Sequence, residues 1–178
     1  GFEPLRNHTL TAATTLTGQL AGGQVRRQRL GLQAQYYLPQ SKAWLFYASA
    51  AAEVLHRPDP ADTLVLGGDN GLRGYPLRYQ SGTRSALVTV EERFYTDLYV
   101  WRLFRVGGAA FFDAGRAWGG EAPNRVNAGW LHNVGVGLRI VSARAAFSNV
   151  LHLDLAYPIN TTPGMKKVQF LVKTKTSF

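Results

Sequence analysis

The segment Gly67-Gly68-Asp69-Asn70-Gly71-Leu72-Arg73-Gly74-Tyr75 sets a single guanidinium among four glycines. Such backbone turns tightly and approaches other surfaces closely. A guanidinium presents a planar fork of donors that fits a carboxylate, a geometry lysine does not reproduce. Other chemistry is not indicated. His8, His56, His132 and His152 are scattered without the spacing of metal ligands. No Gly-x-Ser-x-Gly elbow or phosphate loop occurs. Gly135-x-Gly137 sits inside an alternating run with no helix behind it, so small residues on one strand face explain it better than a dinucleotide site. Asp69 offers one carboxylate, too few for calcium. Cysteine is absent, which removes disulfides, thiol catalysis and cysteine zinc sites. We therefore expect no enzyme, no cofactor and no metal.

The elements that must position Arg73 read as strands. Apolar residues alternate with polar ones in eight runs. Leu10, Ala12 and Leu16 oppose Thr9, Thr11, Thr15, Thr17 and Gln19. Leu30, Leu32, Ala34, Tyr36 and Leu38 oppose Arg27, Arg29, Gln33 and Gln35. Trp44, Phe46, Ala48, Ala50, Ala52 and Val54 oppose Tyr47, Ser49 and Glu53. After a long loop, Ala86, Val88, Val90 and Phe94 oppose Ser85, Thr89, Glu91 and Arg93. Val106, Ala110 and Phe112 oppose Gly107, Ala109, Phe111, Asp113 and Gly115. Val134, Val136, Leu138 and Ile140 oppose Asn133, Gly135, Gly137 and Arg139. Leu151, Leu153, Leu155 and Tyr157 oppose His152, Asp154 and Ala156. Val168, Phe170, Val172 and Phe178 oppose Gln169, Lys173, Lys175 and Ser177.

Runs of about nine to thirteen residues suit a tilted crossing of a bilayer, whereas strands of soluble proteins average about five or six. No apolar run of eighteen residues exists, so the crossing elements are strands and not helices. We assign the apolar face to lipid and the face with Arg27, Arg29, Glu53, Glu91, Arg93, Asp113, Arg139 and Asp154 to a watery lumen. Aromatics gather near strand ends (Trp44, Phe94, Tyr99, Trp101, Phe104, Phe147, Tyr157), as at membrane interfaces. Glu92 falls on the lipid face, which calls for a place at the rim or a bulge. The net charge of +9 raises nucleic acid as a partner. The basic residues form no dense run or binding motif, so no nucleic-acid role is expected. The chain opens on Gly1-Phe2-Glu3-Pro4 without a leader, which for an exported protein implies a cleaved signal or an excised C-terminal segment.

Several of these strings carry a family resemblance. Leu72-Arg73-Gly74-Tyr75 resembles the Arg-Gly-aromatic loop motif of the superfamily that holds the barrel-assembly central subunit, the two-partner-secretion transporters and the bacterial surface antigens. Glu91-Glu92-Arg93 is similar to its Glu-x-Arg strand element, and Phe111-Phe112-Asp113-Ala114-Gly115 to its Phe-x-Asp-x-Gly element. Gly135-Val136-Gly137-Leu138-Arg139 and Asp154-Leu155-Ala156-Tyr157-Pro158 resemble its last strands. Phe178 resembles the aromatic ending of an outer-membrane assembly signal, although Lys173 and Lys175 stand where that signal usually keeps a glycine.

The resemblance implies an all-β, antiparallel transmembrane barrel in the bacterial outer membrane. It implies protein transport or barrel assembly, moving or inserting polypeptides whose identity is unknown. The implied partners are outer-membrane lipids, lipopolysaccharide and the barrel-assembly machinery. In the family the loop folds into the lumen and its arginine contacts acidic wall residues. Carried over, loop 56–84 enters the lumen and Arg73 meets Asp113, with Glu91 as the further candidate; Gly74, Tyr75 and Arg93 complete the expected site. An even strand count places the loops 56–84, 119–130 and 158–167 outside the cell and the connection 96–105 in the periplasm. Eight strands alone close a barrel filled by its own side chains, without room for this loop. We therefore expect residues 1–178 to form the C-terminal half of a sixteen-stranded barrel. A small structural or adhesive barrel, a dimeric barrel, and the membrane anchor of an exported patatin-like lipolytic enzyme are the alternatives.

Overall fold

The computed structural model describes residues 8–56, 63–68, 71–76, 79–100, 103–120, 129–142, 150–159 and 168–175. Asp69, Trp101, Phe147 and Phe178 lie outside them. The described residues contain strands and turns but no α-helix. In chain order the strands are β1 (Thr9–Ala21), β2 (Gln24–Pro39), β3 (Trp44–His56), β4 (Leu64–Leu66), β5 (Gln80–Gly82), β6 (Arg84–Val100), β7 (Phe104–Trp118), β8 (Leu131–Ser142), β9 (Val150–Pro158) and β10 (Gln169–Lys175). Eight of them form one antiparallel sheet, ordered β1-β2-β3-β6-β7-β8-β9-β10. The sheet is not closed; β1 and β10 are its edges. The small β4–β5 hairpin is separate and belongs to the long loop between β3 and β6.

The two faces have exchanged their usual solvents. Leu32, Val88, Val134, Val136, Leu138, Leu155, Phe170 and Val172 are exposed on the outer face. Glu91, Arg93, Asp113, Arg139, His152 and Asp154 are buried on the inner face. Water around such a molecule would put the costs in the wrong places, because apolar area would be wetted and charges desolvated. A bilayer around it removes the first cost. The register makes this parity continuous: Val90 faces both Ala48 and Phe112, while Glu91 faces Tyr47 and Phe111. Two register shifts occur, at Thr17/Gln19 and at Tyr95/Tyr99, both toward strand ends.

The second shift explains a difference from the sequence reading. The expected connection 96–105 contracts to residues 101–103, because β6 resumes pairing at Tyr99–Arg105 and Val100–Phe104. Local side-chain bonds bridge the irregularity: Thr96 Oγ1 donates to Val106 O at 2.6 Å, and Arg105 Nε donates to Thr96 O at 3.0 Å. Alternation fails across such a shift, so it reads as a turn in sequence. Glu92 needs no bulge. It pairs regularly with Phe46 and Ala110, two residues short of the end of β3. It belongs to the rim.

The loop packs against the inner face through its own small core of Leu66, Leu72, Tyr75, Ala117 and Leu131, flanked by Tyr79 and Leu87. Beside it lies a cavity of about 340 Å³. Gln33 and Tyr47 line one side of it, and His152, Asp154 and Lys173 line the other. The sheet is thus curled enough for β2 and β10 to face one another.

The outer-face assignment has a direct measure. Val136, at mid-strand and 60% exposed, should lose about 2–4 kcal/mol of stability on replacement by Arg in a bilayer. Gln33→Arg on the inner face should stay within about 0.5 kcal/mol of the parent. Urea titrations of the protein folded into lipid vesicles check both.

Candidate functional site

The site is built where the loop meets β6, β7, β8 and β9. Arg73 reaches the wall because the backbone on either side of it gives way. Gly71 has φ +110, and a β-carbon there would run into the Leu87 side chain. At Gly74 a β-carbon would stand 2.5 Å from Asn133 Cβ and 3.0 Å from Pro158 N. The first position needs a conformation that L side chains rarely adopt; the second needs the absence of a side chain. The turn is closed by Tyr75 N donating to Leu72 O at 3.0 Å and Gly68 N donating to Tyr75 O at 2.8 Å. Tyr75 is itself buried, and its hydroxyl donates to His132 O at 2.9 Å. A further tie runs through Gln80, whose amide donates to Gly129 O and accepts from Ala117 N at 2.7 Å.

The guanidinium of Arg73 meets three carboxylates. Nε and Nη2 donate side-on to the two oxygens of Asp113, each at 2.9 Å. Nη1 donates to Glu91 Oε1 at 2.9 Å and to Asp154 Oδ2 at 3.2 Å. Its carbon sits 3.4 Å from the centroid of the Phe111 ring, which forms the floor of the site. That ring occupies the space where a β-carbon at Gly135 would lie. Asp113 also accepts from Thr89 Oγ1 and Asn133 Nδ2, both at 2.9 Å. Two wall arginines complete the cluster. Arg139 bridges Asp154 Oδ1 at 2.5 Å and Glu91 Oε1 at 2.6 Å, and Arg93 pairs with the other oxygen of Glu91.

The charges therefore balance: Arg73, Arg93 and Arg139 against Glu91, Asp113 and Asp154. Burial opposes the charge of Arg73, but the hydrogen bonds and charges of Asp113 and Glu91 outweigh it and hold its pKa above the ordinary arginine value. A raised folded value means the contribution is complete below the unfolded value and is lost only as pH rises through the folded one. Ordinary alkaline conditions leave Arg73 charged. The arrangement can hold a loop firmly against a wall. It offers no nucleophile beside a base, and no metal-binding group of three acidic or histidine side chains stands among the described residues.

Of the residues singled out in the sequence, Arg73, Gly74, Glu91, Arg93 and Asp113 lie together. Tyr75 stands one turn away, on the loop core. Phe178 falls outside the described residues. Asp154 and Arg139 were legible as inward-facing charges and within strings that resemble the family's last strands; no short motif links either one to the loop, and Asp154 is 81 residues from Arg73.

This geometry makes two variants informative. Gly74→Ala should displace the turn and raise the rate of protease cleavage between Leu72 and Tyr75 at least tenfold. Asp113→Ala leaves Arg73 and Asn133 without their acceptor and should cost about 3–5 kcal/mol, the range for breaking a buried pair. Limited proteolysis and unfolding in detergent report on these separately.

Comparison with known proteins agrees with the fold. The Omp85 superfamily domain matches residues 1–178. No curated protein and no solved structure gives a significant match. That superfamily comprises outer-membrane proteins of translocation and assembly, typically without enzymatic activity. With an inverted sheet, a loop arginine seated among wall carboxylates and a match over its whole length, the chain belongs to the Omp85 superfamily.

Proposed function

We propose that the chain is the lumen-bearing C-terminal half of an outer-membrane barrel that moves or inserts polypeptides, and that Arg73 latches the long loop inside it. The seating of Arg73 on Asp113, Glu91 and Asp154 carries this reading. A loop needed only as a surface connection has no reason to bring a charge into a buried cluster, where desolvation makes mispairing costly. Two free edges on the sheet favour a larger barrel over a small closed one. In this reading the rim bearing the β3–β6 and β7–β8 connections faces outward from the cell, and β10 runs toward the periplasmic side. The unpaired edges receive the other strands of the barrel, which then has room for the loop. Transport needs no nucleotide chemistry in this chain; the latch sets where the loop stands while a polypeptide client passes or enters the membrane.

The test is made in the complete protein that carries this chain. Arg73→Ala should reduce surface delivery of its passenger, or assembly of other outer-membrane barrels, at least tenfold while the barrel still folds. Arg73→Lys should remain impaired, since one ammonium cannot reproduce side-on pairing with Asp113. Full activity in a correctly folded Arg73→Ala protein would reduce the latch to a brace.

A further inference from the structure

Arginines also occur on the opposite side of the same wall. Arg84 and Arg116 have the parity of Val88 and Phe112 and not that of Glu91 and Asp113, so both project from the outer face. They stand at one end of β6 and β7, on the rim that carries the long loop. Arg84 pairs with Trp118 and Arg116 with Ala86. The two arginines are therefore diagonal neighbours, with β-carbons about 7 Å apart, close enough for their long side chains to converge on one group. Arg116 lies 5.6 Å from the Trp118 ring, and its Nε is buried without a hydrogen-bond partner. No described carboxylate lies within ion-pair distance of either arginine. The other charged side chain described on an outer strand face is Glu92, at the far rim.

Height along the strand decides what can neutralise them. From Phe94 to Arg84 is ten residues of β6. At about 3.3 Å per residue and a tilt of about 40°, that covers about 25 Å, the height of a barrel's apolar band. Ala86, Val88 and Val90 lie within that band on β6, and Ala110, Phe112 and Ala114 on β7. Arg84 and Trp118 stand at its upper edge, where headgroup phosphates lie, and Arg116 is one same-face position below them, level with Ala86, from where its long side chain reaches that edge. An isolated interfacial arginine merely snorkels to water. A pair converging beside an indole, with no described carboxylate beside it, presents two forks to one anionic group.

We propose that Arg84, Arg116 and Trp118 form a binding site on the outer wall for the phosphate of a membrane lipid. The arginines pair with the phosphate, and Trp118 packs on the lipid's glycerol or sugar. This rests on the proposed membrane setting of the sheet, and the experiment separates the two. The full chain is folded into vesicles of zwitterionic lipid, and insertion is read by β-sheet circular dichroism and heat-dependent gel mobility. Binding of fluorescent lipid A with both phosphates is then compared with the same lipid after dephosphorylation. The parent should prefer the phosphorylated form at least tenfold, and the preference should shrink as salt rises. R84Q/R116Q should abolish it, while E92Q at the other rim should retain it. If the double variant does not fold, R84Q and R116Q singly should each lower the preference at least threefold. Equal binding of the two lipids by inserted parent protein overturns the site alone. An unchanged preference in the folded double variant, or in both single variants, does the same. Displacement of the lipid by millimolar inorganic phosphate also overturns it, because the group recognised would then be free phosphate. Failure of the parent to insert overturns the membrane setting and this proposal together.

Discussion

Three arginines and three carboxylates share one buried patch at the inner wall, and the loop's Arg73 is seated among them. Each wall carboxylate has wall partners: Glu91 the charges of Arg93 and Arg139, Asp154 that of Arg139, and Asp113 the neutral donors Asn133 and Thr89. Taken alone, the two wall arginines leave the three carboxylates one positive charge short. Arg73 supplies it. The loop is thereby coupled to the wall through charge neutrality as well as through shape, and neutrality is the stricter requirement in a desolvated site. The small apolar core of Leu66, Leu72, Tyr75, Ala117 and Leu131 adds adhesion that many side chains could supply. Arg73 matches the deficit of charge with donors placed side-on to Asp113, a geometry lysine does not reproduce.

Thin walls make that coupling possible. A barrel wall is one strand thick, so each residue faces either lipid or lumen, and the choice alternates. Space for large inner groups then comes from small inner neighbours. Gly135 yields its place to the Phe111 ring, and Gly137 lies against Asp154 and Arg139. Two glycines that resemble part of a nucleotide-binding string are in fact the clearance around an ion-pair cluster. The same thinness lets Arg84 and Arg116 serve lipid on one side while residues next to them in sequence serve the loop.

What could be read from the sequence follows from which forces are local. Parity is local, so alternation assigned Glu91, Asp113, Arg139 and Asp154 to one face and Val134, Val136 and Leu138 to the other. The strand limits were less legible where side chains replace ladder bonds, as Thr96 and Arg105 do beside the shift at Tyr95/Tyr99. The β4–β5 hairpin within the loop was not anticipated; three-residue strands are too short to show a period. The contacts of Arg73 are nonlocal. Resemblance named Asp113 and Glu91 as its partners, but nothing in the chain's order brings Asp154 to the same guanidinium. That meeting depends on the curl of the sheet from β6 to β9, which accumulates over strands and leaves no mark in any one of them.

Register is the condition under which all of this holds together. A slip of one residue between Arg84 and Tyr95 would carry Glu91 to the lipid and Arg84 to the lumen, destroying the inner cluster and the outer pair in one step. The ladder between β6 and β7 is unbroken over that stretch, and both register shifts fall elsewhere, near strand ends. Irregularity is tolerated where the inner face carries no cluster and excluded where it does. The loop adds to this constraint, since Arg73 bonds to β6, β7 and β9 at once and so ties three strands in a single alignment. The sheet has two free edges, and this tie adds to the backbone ladder at its centre. The residue that seats the loop therefore also fixes the parity on which its own partners depend.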